Sequence, residues 1–129
     1  MRTLTIKVAI NVPPDAVMAY ASNPRHLPEW APGFARSITP EGDEWLVQMP
    51  DGIVRLWFTP PNADGILDHV VHLPNGEEVM NTMRVVPHGT GCEVSFLLHQ
   101  RDGMSEAQLA EDAGLIEADL NRLRALLED

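Results

Sequence analysis

The sequence predicts an α+β domain in which a curved antiparallel sheet of six or seven strands wraps around one long C-terminal helix. A short, broken helix is expected after the first strand. Three observations support this fold class. Residues 3–12 alternate polar and apolar side chains, as a strand with one buried face does. Short apolar segments separated by glycine-containing turns fill residues 34–100, and residues 105–128 repeat apolar side chains at helical spacing.

Length and composition limit the possible functions. The 129 residues suit one domain, residues 1–129, and the net charge is −10. This charge, without a basic stripe, argues against binding to nucleic acid or to an anionic membrane. The start is not a signal peptide and no run is long enough to insert into a membrane, so a cytoplasmic location is expected. The single cysteine, Cys92, is interpreted as a buried inert thiol.

The N-terminal third is predicted to be a strand followed by broken helix. One face of the strand is apolar: Leu4, Ile6, Val8, Ile10 and Val12. Pro13-Pro14-Asp15 ends this strand, and Asp15 suits the start of a short helix over residues 15–22. Three further prolines between residues 24 and 32 limit the next stretch to one helical turn near residues 26–30.

The middle of the chain is predicted to be a meander of hairpins. Each hairpin joins two apolar segments across a turn signal: 44–50 with 53–59 across Asp51-Gly52, 65–73 with 78–87 across Asn75-Gly76, and 78–87 with 92–100 across Gly89-Thr90-Gly91. Because successive hairpins place neighbouring strands antiparallel, the whole region is expected to form one twisted, curling sheet.

The last segment, residues 105–128, is predicted to be a single helix. Ser105 and Gln108 form a capping box at its start. Its apolar stripe steps by three and four residues: Leu109, Ala113, Ile116, Leu120, Leu123 and Leu127. Since the sheet is the only large partner available, this stripe should pack against it.

Two segments also carry a resemblance to a known superfamily. The order of elements, the stretch Val12–Val17 and the stretch Asn23–Trp30 resemble the START-like, helix-grip (SRPBCC) superfamily, the latter through its "D-P-x-x-L-P-x-W" pattern. This superfamily includes polyketide cyclases/dehydrases, lipid-transfer proteins and the birch-pollen-allergen group. The resemblance implies a cavity for an apolar or amphipathic ligand between sheet and helix, and catalysis in only some members.

The predicted turns assign faces to the strands. If Asn75-Gly76 is a two-residue turn, Val70 lies opposite Asn81, and the concave face carries Asp68, Val70 and His72. The next hairpin then adds Met83 and Phe96 to the same face. A shift of one residue would reverse the first of these assignments and turn His69 towards the cavity instead.

The predicted ligand-binding residues follow from this assignment: Tyr20, Trp30, Asp68, Val70, His72, Asn81, Met83, Phe96, Ala113, Ile116 and Leu120. A carboxyl on an apolar wall should have a raised pKa, so Asp68 is a candidate catalytic acid or base, with His72 or Tyr20 assisting. Alternatively, Asp68 accepts a hydrogen bond from a backbone amide and His72 is exposed near its turn. Spacing of three places His69 and His72 on opposite faces, so no metal site is expected, and no motif indicates a cofactor.

Three functions are consistent with these patterns. The favoured hypothesis is a carrier or sensor of a small apolar or amphipathic molecule. The alternatives are a cyclase- or dehydratase-type enzyme that uses Asp68, and a protein-interaction module. The outer sheet face is predicted to be apolar, which suggests a possible homodimer or a covering loop. Its predicted residues are Leu46, Trp57, Leu67, Val71, Met80 and Leu97.

Overall fold

A computed structural model describes residues 2–128 and shows the expected fold class. Its elements in chain order are β1 (Thr3–Ile10), α1 (Pro14–Ala21), a 3₁₀ turn (Pro24–His26), α2 (Leu27–Trp30), β2 (Ser37–Glu41), β3 (Glu44–Met49), β4 (Gly52–Phe58), β5 (His69–His72), β6 (Glu78–His88), β7 (Gly91–His99) and α3 (Glu106–Glu128). The broken helix, the meander and the long C-terminal helix are therefore confirmed.

The strands form one antiparallel sheet in the order β1-β7-β6-β5-β4-β3-β2. The helix α3 contacts β1, β7 and α2, and so closes the concave side of the sheet. Its Leu109, Leu120 and Leu123 are fully buried there. The capping box also forms, because the Ser105 hydroxyl accepts from the Gln108 amide while the Gln108 side chain accepts from the Ser105 amide.

Strand β6 changes its pairing partner along its length. Residues 78–81 of this strand pair with β5, whereas Thr82–His88 pair with β7. Beside the second part of β6, the backbone around Gly65 passes very close to the strand, and the Val85 amide donates to the Gly65 carbonyl. Gly65 has a φ of +75°, and a Cβ there would lie 2.1 Å from the Val85 carbonyl oxygen, so no larger residue fits.

The hairpin between β3 and β4 turns one residue earlier than expected. Met49 pairs with Gly52, so Pro50 and Asp51 form the turn instead of Asp51 and Gly52. Each residue of β3 therefore pairs with a β4 residue two positions earlier than predicted. Because side chains alternate with a period of two, every side chain stays on its predicted face. The hairpin between β6 and β7 has the predicted register, with Met83 opposite Phe96.

The register between β5 and β6 differs from the prediction by one residue. The connecting loop has three residues, Pro74-Asn75-Gly76: the Leu73 carbonyl accepts from the Gly76 amide, and the Leu73 amide donates to the Glu77 carbonyl. Gly76 takes the left-handed position at φ +90°, as in a type I turn followed by a bulge. His69, rather than Val70, therefore lies opposite Asn81.

This odd loop length exchanges the two faces of β5. Leu67, His69 and Val71 are buried on the concave side. Asp68, Val70 and His72, which were predicted to face the cavity, lie on the convex side. The prediction that Leu67 and Val71 belong to the outer face is wrong for the same reason, while Met80 and Trp57 are exposed there as expected.

Candidate functional site

A cavity of about 550 Å³ lies between the concave face of the sheet, α2 and α3. The strands β3, β5, β6 and β7 form one wall, and the two helices form the other. Its apolar lining includes Leu27, Trp30, Phe34, Met49, Val71, Val79, Phe96, Leu98, Ile116 and Leu120. Aromatic and branched side chains thus surround most of the space.

Five of the residues predicted to bind a ligand line this cavity: Trp30, Asn81, Phe96, Ile116 and Leu120. Two others belong to the surrounding core. Met83 is fully buried on the concave face, and Ala113 is half-buried on α3. That any of these residues contacts a ligand stays a prediction.

Tyr20 lies away from the cavity lining. Its hydroxyl donates to Glu29 Oε1 at 2.6 Å, and its ring stacks on His26 with 4.3 Å between centroids. Burial, together with the hydrogen bond to the Glu29 carboxylate, raises the pKa of the Tyr20 hydroxyl. These contacts connect α1 to α2, and so Tyr20 helps to place the cavity wall without forming it.

Asp68 points away from the cavity and is satisfied by β6. Its Oδ1 accepts from the Met83 amide at 3.0 Å and from Arg84 Nε at 2.9 Å, while Oδ2 accepts from Arg84 Nη2 at 2.7 Å. The Arg84 hydrogen bonds, followed by that from the Met83 amide, outweigh burial and hold the Asp68 pKa below its ordinary value. An ionised carboxylate on the convex face cannot serve as a catalytic acid in the cavity.

His72 and Val70, which were also predicted to face the cavity, contact residues on the convex side instead. His72 Nε2 lies 3.2 Å from Glu44 Oε2 on β3. Val70 lies between Trp57 on β4 and Met80 on β6. Neither side chain lines the cavity, since alternation along β5 directs both outwards.

His69 lines the cavity, although the predicted register placed it on the convex face. It is 7% exposed and lines the cavity, where its ring stacks nearly parallel (2°) on Phe58 at 5.1 Å and tilts against Phe96. His69 Nδ1 lies 3.0 Å from the Leu67 carbonyl oxygen, which can only accept, so Nδ1 carries the proton. Burial lowers the His69 pKa, which keeps the ring neutral and Nε2 an acceptor.

The opposite wall is acidic. Asp119 on α3 is 14% exposed at its side chain and receives a hydrogen bond from Arg122 Nη1 at 3.0 Å. Burial nevertheless raises the Asp119 pKa to about 6, and burial also raises the pKa of Asp112, which lies about two turns earlier on the same face of α3. At the rim, Arg101 Nη1 pairs with Glu77 Oε1 at 3.1 Å and links the loops that precede β6 and α3.

One lining residue has an unsatisfied donor. The indole Nε1 of Trp30 is buried and finds no hydrogen-bond partner among residues 2–128. Within the same residues, no three His, Cys, Asp or Glu side chains gather as metal ligands. No helix of this part of the chain is both long and apolar enough to cross a membrane.

Solved structures with the same fold have low sequence identity to this chain. XoxI from Bacillus cereus has a TM-score of 0.75 at 16% identity, covering 100% of this chain and 97% of its own. The Aha1 dimer from Colwellia psychrerythraea has a TM-score of 0.76 at 14% identity, covering 99% and 97%. DynU16, from the dynemicin biosynthetic locus, has a TM-score of 0.75 at 17% identity, covering 98% of this chain and 47% of its own. These matches show the helix-grip fold alone.

Family membership comes from the sequence itself. No curated protein matches the chain. Residues 1–128, however, match the family model described as polyketide cyclase / dehydrase and lipid transport. The match covers nearly the whole chain, and it agrees with the fold and with the cavity between sheet and helix. The chain therefore belongs to the polyketide cyclase/dehydrase and lipid transport family.

Proposed function

We propose that this protein binds a small apolar or amphipathic molecule in the cavity between sheet and C-terminal helix, as a carrier or sensor. The observation that carries this proposal is the cavity of about 550 Å³ with its largely apolar lining. Ligand pockets typically measure about 300–1,000 Å³, whereas ordinary protein interiors leave few voids larger than a water molecule. A space of this size inside a small domain is better explained by a ligand than by imperfect packing.

The lining supports a ligand that is apolar over most of its surface. Trp30, Phe34 and Phe96 supply flat aromatic area, and Ile116 and Leu120 supply the aliphatic wall of α3. Polar side chains also line the cavity, among them His69 and Asn81 on the sheet and Asp119 on the helix. A mostly apolar lining with polar groups of this kind suits an amphipathic molecule.

Neither alternative function has comparable support. An enzyme that uses Asp68 would need this carboxyl in the cavity, but Asp68 is paired with Arg84 on the convex face. An interaction module with a vestigial cavity would have a filled core, and this core is not filled.

A fluorescent naphthalene probe tests the proposal directly. We expect 1-N-phenylnaphthylamine to bind with enhanced fluorescence, and native mass spectrometry of freshly purified protein to show a co-purifying ligand. Ile116→Trp should fill part of the cavity and weaken probe binding about tenfold or more. Leu126→Trp is the matched control, because Leu126 is exposed on the same helix and lies outside the lining.

Two results would contradict the proposal. One is that the folded protein neither binds the probe nor carries a ligand. The other is that Ile116→Trp and Leu126→Trp leave probe affinity equally unchanged, which would place the probe elsewhere on the surface.

A further inference from the structure

We propose that ligands enter and leave the cavity through a gap in the sheet between β6 and β7, which the ion pair of Arg101 with Glu77 bridges as a gate. The inference rests on the proposed function, because it names the entrance to the same cavity and the contact that controls the rate of exchange.

The gap opens where the two strands stop pairing with each other. β7 pairs with β6 only as far as Thr82, which lies opposite Leu97. Beyond this point, Glu78–Asn81 of β6 pair with β5, while Leu98 and His99 of β7 pair with β1. Two strands that are joined by a tight turn at one end thus separate at the other.

The hydrogen-bond pattern of β6 locates the first missing rung. The Val85 amide donates to Gly65 on the β5 side, so alternate residues counted from Val85 direct their backbone groups away from β7. The even-numbered residues therefore face β7, and the rung after Thr82 would join Met80 to His99. The ladder ends at Thr82, so the opening begins between Met80 and His99.

The cavity lining continues through this gap. It contains two unbroken runs, Glu78–Asn81 and Leu98–Asp102. Alternate side chains of a strand point to opposite faces, so a cavity on one face meets only every second residue of the strand. Runs without omission mean that strand edges border the cavity here. Met80 at this edge is 51% exposed on the convex face, and the passage therefore reaches the surface.

One ion pair bridges the two sides of the gap. Arg101 Nη1, after β7, lies 3.1 Å from Glu77 Oε1, before β6. Among residues 2–128, it is the one side-chain hydrogen bond between residues 73–81 and residues 98–105. The two side chains are 40% and 44% exposed. Because a pair this exposed is weak and is screened by salt, it can break and re-form quickly.

The loop that carries Arg101 is held independently of this pair. The Gln100 amide donates to the Arg2 carbonyl, and the Gln100 side chain accepts from the Arg2 amide. The same side chain donates to the Met104 carbonyl. Breaking the ion pair therefore frees two side chains and leaves the backbone of the loop in place, as a gate requires.

Stopped-flow fluorescence of 1-N-phenylnaphthylamine tests the gate, in protein diluted below any self-association. We expect Arg101→Gln and Glu77→Gln each to raise the association and dissociation rate constants by the same factor, about 2- to 5-fold, which is what one exposed ion pair allows. The ratio of the two constants, and so the Kd, should stay the same, because the pair lies at the rim.

Two variants and one change of buffer are the controls. The double variant Glu77→Arg, Arg101→Glu reverses the pair and should restore slow exchange. Arg2→Gln breaks the exposed ion pair with Glu106, outside the lining, and should leave both rate constants unchanged. Raising NaCl from about 0.05 M to about 0.5 M should accelerate exchange in the wild type but not in Arg101→Gln, because salt screens the same contact that the variant lacks.

Three results would overturn the gate while leaving the proposed function intact. The first is that both single variants bind the probe with unchanged rate constants. The second is a changed Kd with an unchanged association rate, which would mean that the pair contacts the ligand. The third is faster exchange in Arg122→Gln, which loses a link from α3 to α2, with no change in Arg101→Gln; this would place the entrance between the helices. If the probe binds neither the wild type nor any variant, the proposed function falls, and this inference with it.

Discussion

Replacing Asp68 by alanine should destabilise the protein without changing ligand binding. The substitution removes the acceptor of the Met83 amide, whose residue is fully buried, and one partner of Arg84. An orphaned buried donor costs about 1–3 kcal/mol, and an ion pair with a half-exposed arginine adds at most about 1 kcal/mol. We therefore expect a loss of about 2–3 kcal/mol in the free energy of unfolding.

Urea denaturation measures this loss. With a dependence of about 1–3 kcal/mol per molar urea for a domain of this size, the midpoint should fall by about 1 M. Arg84→Gln is the control: it breaks the ion pair but leaves the Met83 amide bonded to Asp68, so it should cost less than about 1 kcal/mol. An Asp68→Ala protein of unchanged stability that no longer binds 1-N-phenylnaphthylamine would refute the structural role assigned here.

The pH dependence of the Asp68→Ala loss has a definite sign. Arg84 holds the folded-state pKa of Asp68 below its unfolded value of 3.8. The stabilisation by the charged carboxylate is therefore complete above pH 3.8 and disappears as the pH falls through the lower folded pKa. The difference in stability between wild type and Asp68→Ala should be constant from pH 8 to about pH 5 and shrink in stronger acid.

Three further predictions concern other parts of the molecule. Leu120→Ala should cost about 2–5 kcal/mol as a core truncation, and a loss under about 0.5 kcal/mol in denaturant titration would contradict the packing of α3 on the sheet. Asp119 has a folded pKa of about 6 against 3.8 unfolded, so its contribution to stability is lost as pH rises between these values. From pH 4 to pH 7, the free energy of unfolding of the wild type should fall by about 1–2 kcal/mol relative to that of Asp119→Asn, after allowance for solvent screening. The same pH dependence of stability in both proteins would refute the raised pKa. Trp57 and Met80 are 38% and 51% exposed on the convex face, so we expect a homodimer that Met80→Lys dissociates; light scattering that shows only wild-type monomer at high concentration would count against it.

The architecture could be predicted from the sequence because its signals are local and repeated. Alternation in β1, the three prolines around α2 and the four-three stepping of α3 each determine an element without reference to the rest of the chain. The register of β5 could not be determined in this way, since it depends on whether one loop has two or three residues. Asn75-Gly76 alone suggests two.

Pro74 was the signal that could have corrected this register. Proline lacks the amide that a strand position would use, and its fixed φ suits the first central position of a type I turn. With Pro74 and Asn75 in the turn and Gly76 in the left-handed position that follows, the loop has three residues. That reading pairs His69 with Asn81. The sequence therefore contained the information that sets the register, but Asn75-Gly76 is the stronger turn signal and favours a two-residue loop.

The two faces of β5 show why the corrected register bears on function. On the convex side, each polar residue has a partner: Asp68 pairs with Arg84 and His72 with Glu44. On the concave side, His69 is buried and lines the cavity, with Asn81 directly opposite it on β6. A ligand in the cavity would therefore meet His69 and Asn81, whereas Asp68 and His72 lie out of its reach on the other face. The three-residue loop before β6 thus decides which side chains of this strand can take part in binding.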